Sequence, residues 1–408
     1  MNTPSANSPD LSKVLVCHNY YKLPGGEDRV FEDEAKLLEQ HGHEVIRYTV
    51  SNDEIDSMNP LSAAVRTIWN RRTYSELRTL LRKERPAVVH FTNTFPLISP
   101  AAYYAARKER VPVVQTLQNY RLICPGSLLM RDGQICEDCL SKRIKWPAVL
   151  HGCYRGNRLA SACVSTMLAT HQAMGTWRKL VSRYVVATEF GRQKFIEAGF
   201  RPEQIAVKPN FVDPIPPCGS GTGEHFVFVG RLAPEKGIDT LLAAWTKFTG
   251  TLKILGDGPL ADKVARFATQ HEHVQWLGHQ PAEVVRQEVA AATALLVPSI
   301  WYEGLPKTIM EAFSVGTPII GSDLGAMSEV VTPGKTGLLF PPGQADKLLE
   351  SLSWMKDSPE QVRAMRTNVR QQFEQLYTAD RNYTLLRDIY CQAISETQQE
   401  SSPSASSG

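Results

Sequence analysis

Short runs of Val, Ile and Leu alternate along this chain with longer stretches of helical period. KVLVCHN (13–19), HEVIRYTV (43–50), AVVHFTN (87–93), VPVVQTLQN (111–119) and RYVVATE (183–189) make a first series. HFVFVGRL (225–232), TLKILGDG (251–258), VQWLGH (274–279), ALLVPS (294–299) and TPIIGSD (317–323) make a second. Most of these runs are apolar along their length instead of at every other position, which predicts strands buried on both faces in parallel sheets covered by helices. Between the series, VKPNFVDPIPPCGSGTGE (207–224) is rich in Pro and Gly and lacks periodic apolar positions, as a linker does. The pattern predicts an α/β chain of two doubly wound, Rossmann-like domains. Ligands of such folds bind beyond the carboxyl ends of the strands, so both domains would face one central cleft.

Composition narrows the partners. The 408 residues hold 45 Lys and Arg against 42 Asp and Glu, a net charge of +3 that argues against nucleic acid. No apolar run reaches the length of a membrane span. The N-terminal MNTPSANSPDLSK has neither the basic nor the apolar region of a signal peptide, which makes a cytoplasmic protein the expectation. Two basic stretches, RTIWNRRTYSELRTLLRKERP (66–86), a candidate amphipathic helix, and LSKRIKWPAVLHGCYRGNRLAS (140–161), are either solvated faces or contacts for a phosphorylated acceptor or an anionic membrane, peripheral on the inner face of the plasma membrane. Cys124, Cys136, Cys139 and Cys153 are spaced as candidate ligands of a structural zinc, with reduced thiols as the alternative.

The chemistry concentrates after the second-series strands. In FVFVGRLAPEKGID (226–239) a strand ends at Gly230, and Arg231 and Lys236 follow it; two cations at a sheet mouth suit a diphosphate. In LGDGP (255–259), Gly256 permits close backbone approach. WYEGLPKTIMEA (301–312) carries Glu303 and Glu311 around Pro306, with a helix predicted over 306–315. On one helix, carboxylates eight residues apart would diverge by roughly 80°, so they are not a side-by-side acid–base pair. The free amides near Leu305 and Lys307 instead make an anion site at a helix N-terminus. A glutamate on either side of that site would accept hydrogen bonds from hydroxyls, and hydroxyl, diphosphate, hydroxyl describes a nucleotide sugar.

VGRLAPEKGID, LGDGP, YEGLPKTIMEA, VGTPIIGSD and GKTGLLFPPG, in this order, resemble glycosyltransferase family 4, retaining enzymes of GT-B fold. The resemblance implies that Glu311 holds the nucleotide ribose, that Glu303 lies by the donor sugar, and that Arg231 and Lys236 hold the diphosphate. LPGGEDR (23–29) resembles the family's glycine-rich loop, so Gly25 and Gly26 would approach the donor or acceptor. Gln118 stands where relatives usually have a His that contacts the donor sugar; it keeps hydrogen-bonding ability but cannot carry a proton. His90 and Asn119 are further candidates on the acceptor side. The family is thought to let the leaving diphosphate deprotonate the acceptor, and no carboxylate pair suggests a catalytic metal. A subset of the family has a similar cysteine-containing insert, here about 122–160. The implied organisation is an acceptor domain over 1–212, a donor domain over 213–377, a helix over 378–396 packing back on the first domain, and a disordered tail over 397–408.

The function expected is transfer of a sugar from a UDP- or GDP-sugar to a hydroxyl of a glycan or lipid-linked glycan. A sugar-nucleotide epimerase of the same fold and a catalytically silent sugar-nucleotide-binding protein stay open. A NAD-linked enzyme does not fit, because no G-x-G-x-x-G follows the first strand.

Overall fold

The structure, a computed structural model, describes residues 10–22 and 25–401. Leu23 and Pro24 of the glycine-rich loop lie outside the described residues. The first sheet contains β1 (Lys13–Tyr20), β2 (Glu44–Ser51), β3 (Val88–Asn93) and β4 (Val113–Thr116). An insert after it carries a small hairpin, β5 (Met130–Arg131) and β6 (Gln134–Ile135). The sheet then resumes with β7 (Arg183–Val186) and β8 (Ile205–Val207). The second sheet is built from β9 (His225–Val229), β10 (Thr251–Leu255), β11 (Val274–Gly278), β12 (Ala294–Val297), β13 (Ile319–Ser322) and β14 (Gly337–Phe340).

Both sheets are parallel, with strand orders β2-β1-β3-β4-β7-β8 and β11-β10-β9-β12-β13-β14. In each, the chain builds outward from its first strand and then returns to that strand's other side. The switch points therefore fall between β1 and β3 and between β9 and β12. At such a point the loops leaving neighbouring strands diverge and open a crevice at the carboxyl edge. Sequence patterning missed β8 and β14: the first has three residues, and the second begins with a glycine inside a run read as a motif.

The helix Lys307–Ser314 buries Ile309, Met310 and Phe313 against Val227, Leu295 and Ile319 of the second sheet. The helix Pro359–Leu376 backs it with Val369 and Phe373. The chain then crosses back, and Thr378 bridges to Val212 beside the outgoing linker. The helix Ala379–Ser401 covers the first sheet, with Leu386, Ile389, Tyr390 and Ala393 against Val14, Val16, Val88 and Val114. It runs to Ser401, past the expected boundary at 396, over a stretch where Glu396, Gln398, Gln399 and Glu400 are good helix formers. The remainder of 397–408 lies outside the described residues.

A buried polar knot joins this crossing. Lys208 Nζ donates to Glu34 Oε1 at 2.5 Å and to Asn382 Oδ1 at 3.1 Å, and Asn382 Nδ2 donates to the Pro209 carbonyl at 2.6 Å. Burial pushes the Glu34 carboxyl up, but the charges of Lys208 and His90 outweigh it and hold the group below its ordinary value.

The 66–86 stretch is not one helix. Asn70 is buried and its side chain accepts from the Arg72 and Thr73 amides, capping a new helix, Arg71–Glu84, after the helix Pro60–Ile68. Much of the second helix's charge is neutralised, with Arg72 paired to Glu76 and both Arg78 and Arg82 to Glu109.

Candidate active site

The second-domain switch point assembles the predicted donor residues. After β9, Gly230 donates its amide to the Leu255 carbonyl at 3.0 Å. A side-chain carbon on Gly256 would sit 1.9 Å from the Gly230 carbonyl oxygen. The close approach of two strand-end loops thus requires Gly256. The loop next places Arg231, whose exposed guanidinium pairs with Glu235. Lys236 follows, with its ammonium 5.2 Å from the Trp301 ring centroid.

From the neighbouring strand β12, the 298–306 loop supplies Glu303. Its carboxylate is 4% exposed, accepting from Lys236 Nζ at 2.7 Å and from Ser299 Oγ at 2.6 Å. A buried carboxylate with charged and hydroxyl donors is fixed in place. Glu303 therefore fixes Lys236 in place and leaves that ammonium further donor capacity. Ser299 was not singled out from sequence; a lone serine at a strand end carries no motif.

The helix Lys307–Ser314 starts at Pro306 without a side-chain cap among the described residues. Its first amides are therefore not claimed by the usual Ser, Thr or Asp, as an anion site needs. Leu305 is buried, its carbonyl accepting from Asn210 Nδ2 at 2.9 Å. Lys307 lies under the first domain and pairs with Asp33. Burial, and to a lesser degree the Arg29 charge, pull Lys307 down to about 8 against the pull of Glu311. Glu311 is partly exposed, 3.4 Å from the Arg29 guanidinium. Arg29 and Asp33, both on the helix Gly26–Gln40, thus reach across to the donor helix. Sequence reading missed them because they appear there as ordinary charges on an amphipathic helix.

Across the cleft, the loop after β4 brings Gln118 to the same point. A side-chain carbon on Gly304 would lie 3.1 Å from the Gln118 carbonyl oxygen, so only a residue as small as glycine fits there comfortably. Gln118, Asn119, Arg121, Tyr21, Glu27 and Thr94 line one pocket on the first domain. Asn119 Nδ2 and Tyr21 OH donate to Glu27 at 2.8 and 2.9 Å. Burial raises the Glu27 carboxyl, against the opposing pull of these hydrogen bonds and Arg121. Gly25 and Gly26 open the adjacent helix; a side-chain carbon on either would meet nothing within 4 Å. The Gly25 amide donates to buried Asp28, which also holds His18 at 2.7 Å.

One expectation needs correction. His90 is not on the acceptor side: β3 continues to Asn93, so His90 is mid-strand and fully buried beneath the returning helix. It is hydrogen-bonded to Tyr390 OH at 2.9 Å and Thr116 Oγ1 at 2.7 Å, and burial lowers it to about 4. The four insert cysteines share a neighbourhood, since Gly126 packs near both Cys124 Sγ and the Cys153 side chain. All four are free thiols, and among the described residues no three His, Cys, Asp or Glu are disposed to hold a metal. Burial raises the Cys136 and Cys153 thiols and takes Cys139 to about 11.

Two parallel-sheet α/β domains, with Arg231, Lys236 and an uncapped helix start at one switch point, have a GT-B architecture. A family model described as "Glycosyl transferases group 1" matches residues 220–372, and a "Glycosyl transferase 4-like domain" model matches residues 25–210. The chain belongs to these family 4-type glycosyltransferases. A lipopolysaccharide 1,6-galactosyltransferase of Salmonella typhimurium is 32% identical over 40% of this chain and 49% of its own length. An exopolysaccharide phosphotransferase of Streptomyces coelicolor is 30% identical over 42% of this chain. The chain spans about half of the first relative and 19% of the second. The crystal structure of Anabaena HepE in complex with UDP shares the fold at 18% identity, with a TM-score of 0.64 over 95% of this chain and 99% of that one.

Proposed function

We propose that the protein is a retaining glycosyltransferase that moves a sugar from a UDP- or GDP-sugar to a hydroxyl of a glycan or lipid-linked glycan. The observation that carries this reading is the Glu303–Lys236 pair at the β9/β12 switch point, set opposite Gln118 and the pocket beside it. The donor diphosphate would lie against Arg231, Lys236 and the first amides of the Lys307–Ser314 helix, with Glu311 turned from Arg29 to the ribose. As the bond from anomeric carbon to phosphate oxygen breaks, charge grows on the diphosphate, where fixed cations and amides stabilise it most. The acceptor hydroxyl enters on the same face and passes its proton to the departing phosphate oxygen, so Gln118 need not act as a base. Glu27, Asn119 and Arg121 would orient the acceptor from the other side.

The HepE complexes with UDP and with UDP-glucose support a uridine donor. The test is a thermal-shift screen of nucleotide sugars, followed by transfer with the best donor in EDTA and assignment of the product anomer. An α-donor giving an α-linked product without added metal supports the reading. An inverted product overturns the mechanism, and donor binding without transfer to any acceptor favours the silent binding protein. Conversion of the donor alone favours the epimerase.

A pH profile tests the placement of Lys307. With its ammonium titrating near 8, Lys307 is charged below that pH and neutral above it. kcat/KM, which reports the free enzyme, is expected to fall through a midpoint near 8. Lys307→Arg should move that limb to higher pH; an unmoved limb would remove Lys307 from donor binding.

A further inference from the structure

We infer that the protein docks on anionic lipid bilayers through a face built by the helix Pro60–Ile68, the insert and the helix Arg158–Ala173. Ten large apolar side chains are exposed among the described residues, and Leu61, Val65, Ile144, Trp146, Leu150 and Leu159 supply six of them here. Leu159 is 84% exposed and Leu61 75%, so these side chains project outward and do not line a groove. Single exposed apolar residues are normal on a soluble surface; a concentration of them calls for a partner.

The three elements are packed together. Cys163 Sγ lies 3.7 Å from the Ala64 carbonyl and His171 Nε2 2.9 Å from that of Ile68, which aligns the helix Pro60–Ile68 alongside Arg158–Ala173. The two helices thus run in the same direction, with the Leu61 and Leu159 ends on the same side. The Ser165 hydroxyl donates to the Lys145 carbonyl at 3.2 Å and the Tyr154 amide to Ser161 Oγ at 2.9 Å, which seats the insert on the same helix. Leu150 is thereby brought towards the Leu159 end.

Charge selects the occupant. From Cys139 to Thr188 the chain has eight lysines and arginines and no aspartate or glutamate, and from Ser57 to Ser75 it has three and none. The whole chain is nearly balanced, at 45 against 42, so this absence of acids is local. Arg143, Arg155 and Arg158 are exposed among the apolar residues, and Lys142 lies 6.0 Å from the Trp146 ring centroid. The neighbouring Arg71–Glu84 helix, by contrast, pairs Arg72, Arg78 and Arg82 with carboxylates. Aliphatic side chains and an indole that enter the acyl boundary, ringed by cations that meet lipid phosphates, fit a bilayer surface. Nucleic acid would call for aromatic stacking platforms, and Trp146 is the lone exposed aromatic among those six.

This surface extends the lipid-linked acceptor reading, and binding is measured without substrate so that either can fail alone. The full chain would be sedimented with vesicles of phosphatidylcholine and with vesicles containing 30 mol% phosphatidylglycerol, at low and physiological salt. Expected is about ten-fold stronger binding to the anionic vesicles. Leu61→Asp/Leu159→Asp and, separately, Arg143→Glu/Arg158→Glu should each lower it about ten-fold, while transfer to a water-soluble acceptor is retained. Equal binding to both vesicle types overturns the proposal, as does undiminished binding by both variants. A wild-type dimer that the aspartate variant dissociates, with no vesicle binding, would assign the face to a second copy of the chain instead.

Discussion

Lys236→Ala is expected to lower transfer by about a hundred- to a thousand-fold, in the range of losing one fixed donor to developing charge. The ammonium is held by Glu303 at 2.7 Å and leans over Trp301, so it is positioned before substrate arrives. Removing it takes away transition-state stabilisation and also leaves the 4%-exposed Glu303 with only Ser299 as partner. Two readouts separate these effects. A variant that keeps most of its thermal stability and its donor affinity, yet loses kcat, has lost charge stabilisation at the reacting bond. A lowered melting temperature with kcat per folded molecule near wild type would mean that Lys236 merely neutralises Glu303, and the site assignment would fall. Glu311→Ala provides the contrast: donor KM should rise more than kcat falls, because a ribose contact is made in ground and transition states alike.

Lys208→Met should cost about 3–5 kcal/mol of stability, the penalty for stranding a buried carboxylate. Glu34 would lose its ammonium at 2.5 Å, leaving His90 Nδ1 3.9 Å away. Asn382 would lose one of its contacts to the crossing at the same time. Urea unfolding of Lys208→Met, Glu34→Leu and the double variant forms the test. The double variant is expected to recover most of the loss, since replacing both charges by apolar groups is often nearly neutral. A single-variant cost below about 1 kcal/mol would show that water reaches the knot and that the pair is effectively a surface one.

Much of the fold was legible because parallel strands buried on both faces leave unbroken apolar runs. The short β8 and β14 were not, since three or four residues give too little pattern to separate a strand from a loop. At the site, residues that belong to one local motif were readable: Lys236, Glu303 and Glu311 carry their spacing in the chain. Residues that matter through a contact across the cleft were not. Arg29 and Asp33 acquire significance when the helix Gly26–Gln40 is set beside Lys307 and Glu311. His90 failed in the opposite direction, because a histidine in an apolar strand looks the same whether the strand ends there or runs three residues further. The cysteine spacing was ambiguous for a related reason: proximity in sequence does not say whether thiols turn toward a common centre.

The first domain is not contiguous in the chain. Its sheet is complete once Val207 is made, yet the face holding Val14, Val88 and Val114 is covered by residues beyond 379. During synthesis the second domain therefore emerges, and can close its own core, while the first still lacks its lid. A chain cut after the linker would leave that apolar face and the buried Lys208–Glu34 pair open to water. The same anatomy makes the 379–401 segment separable in principle: supplied as a peptide, or fused after residue 212 by a short linker, it carries the surface the first domain needs to stand apart from the second.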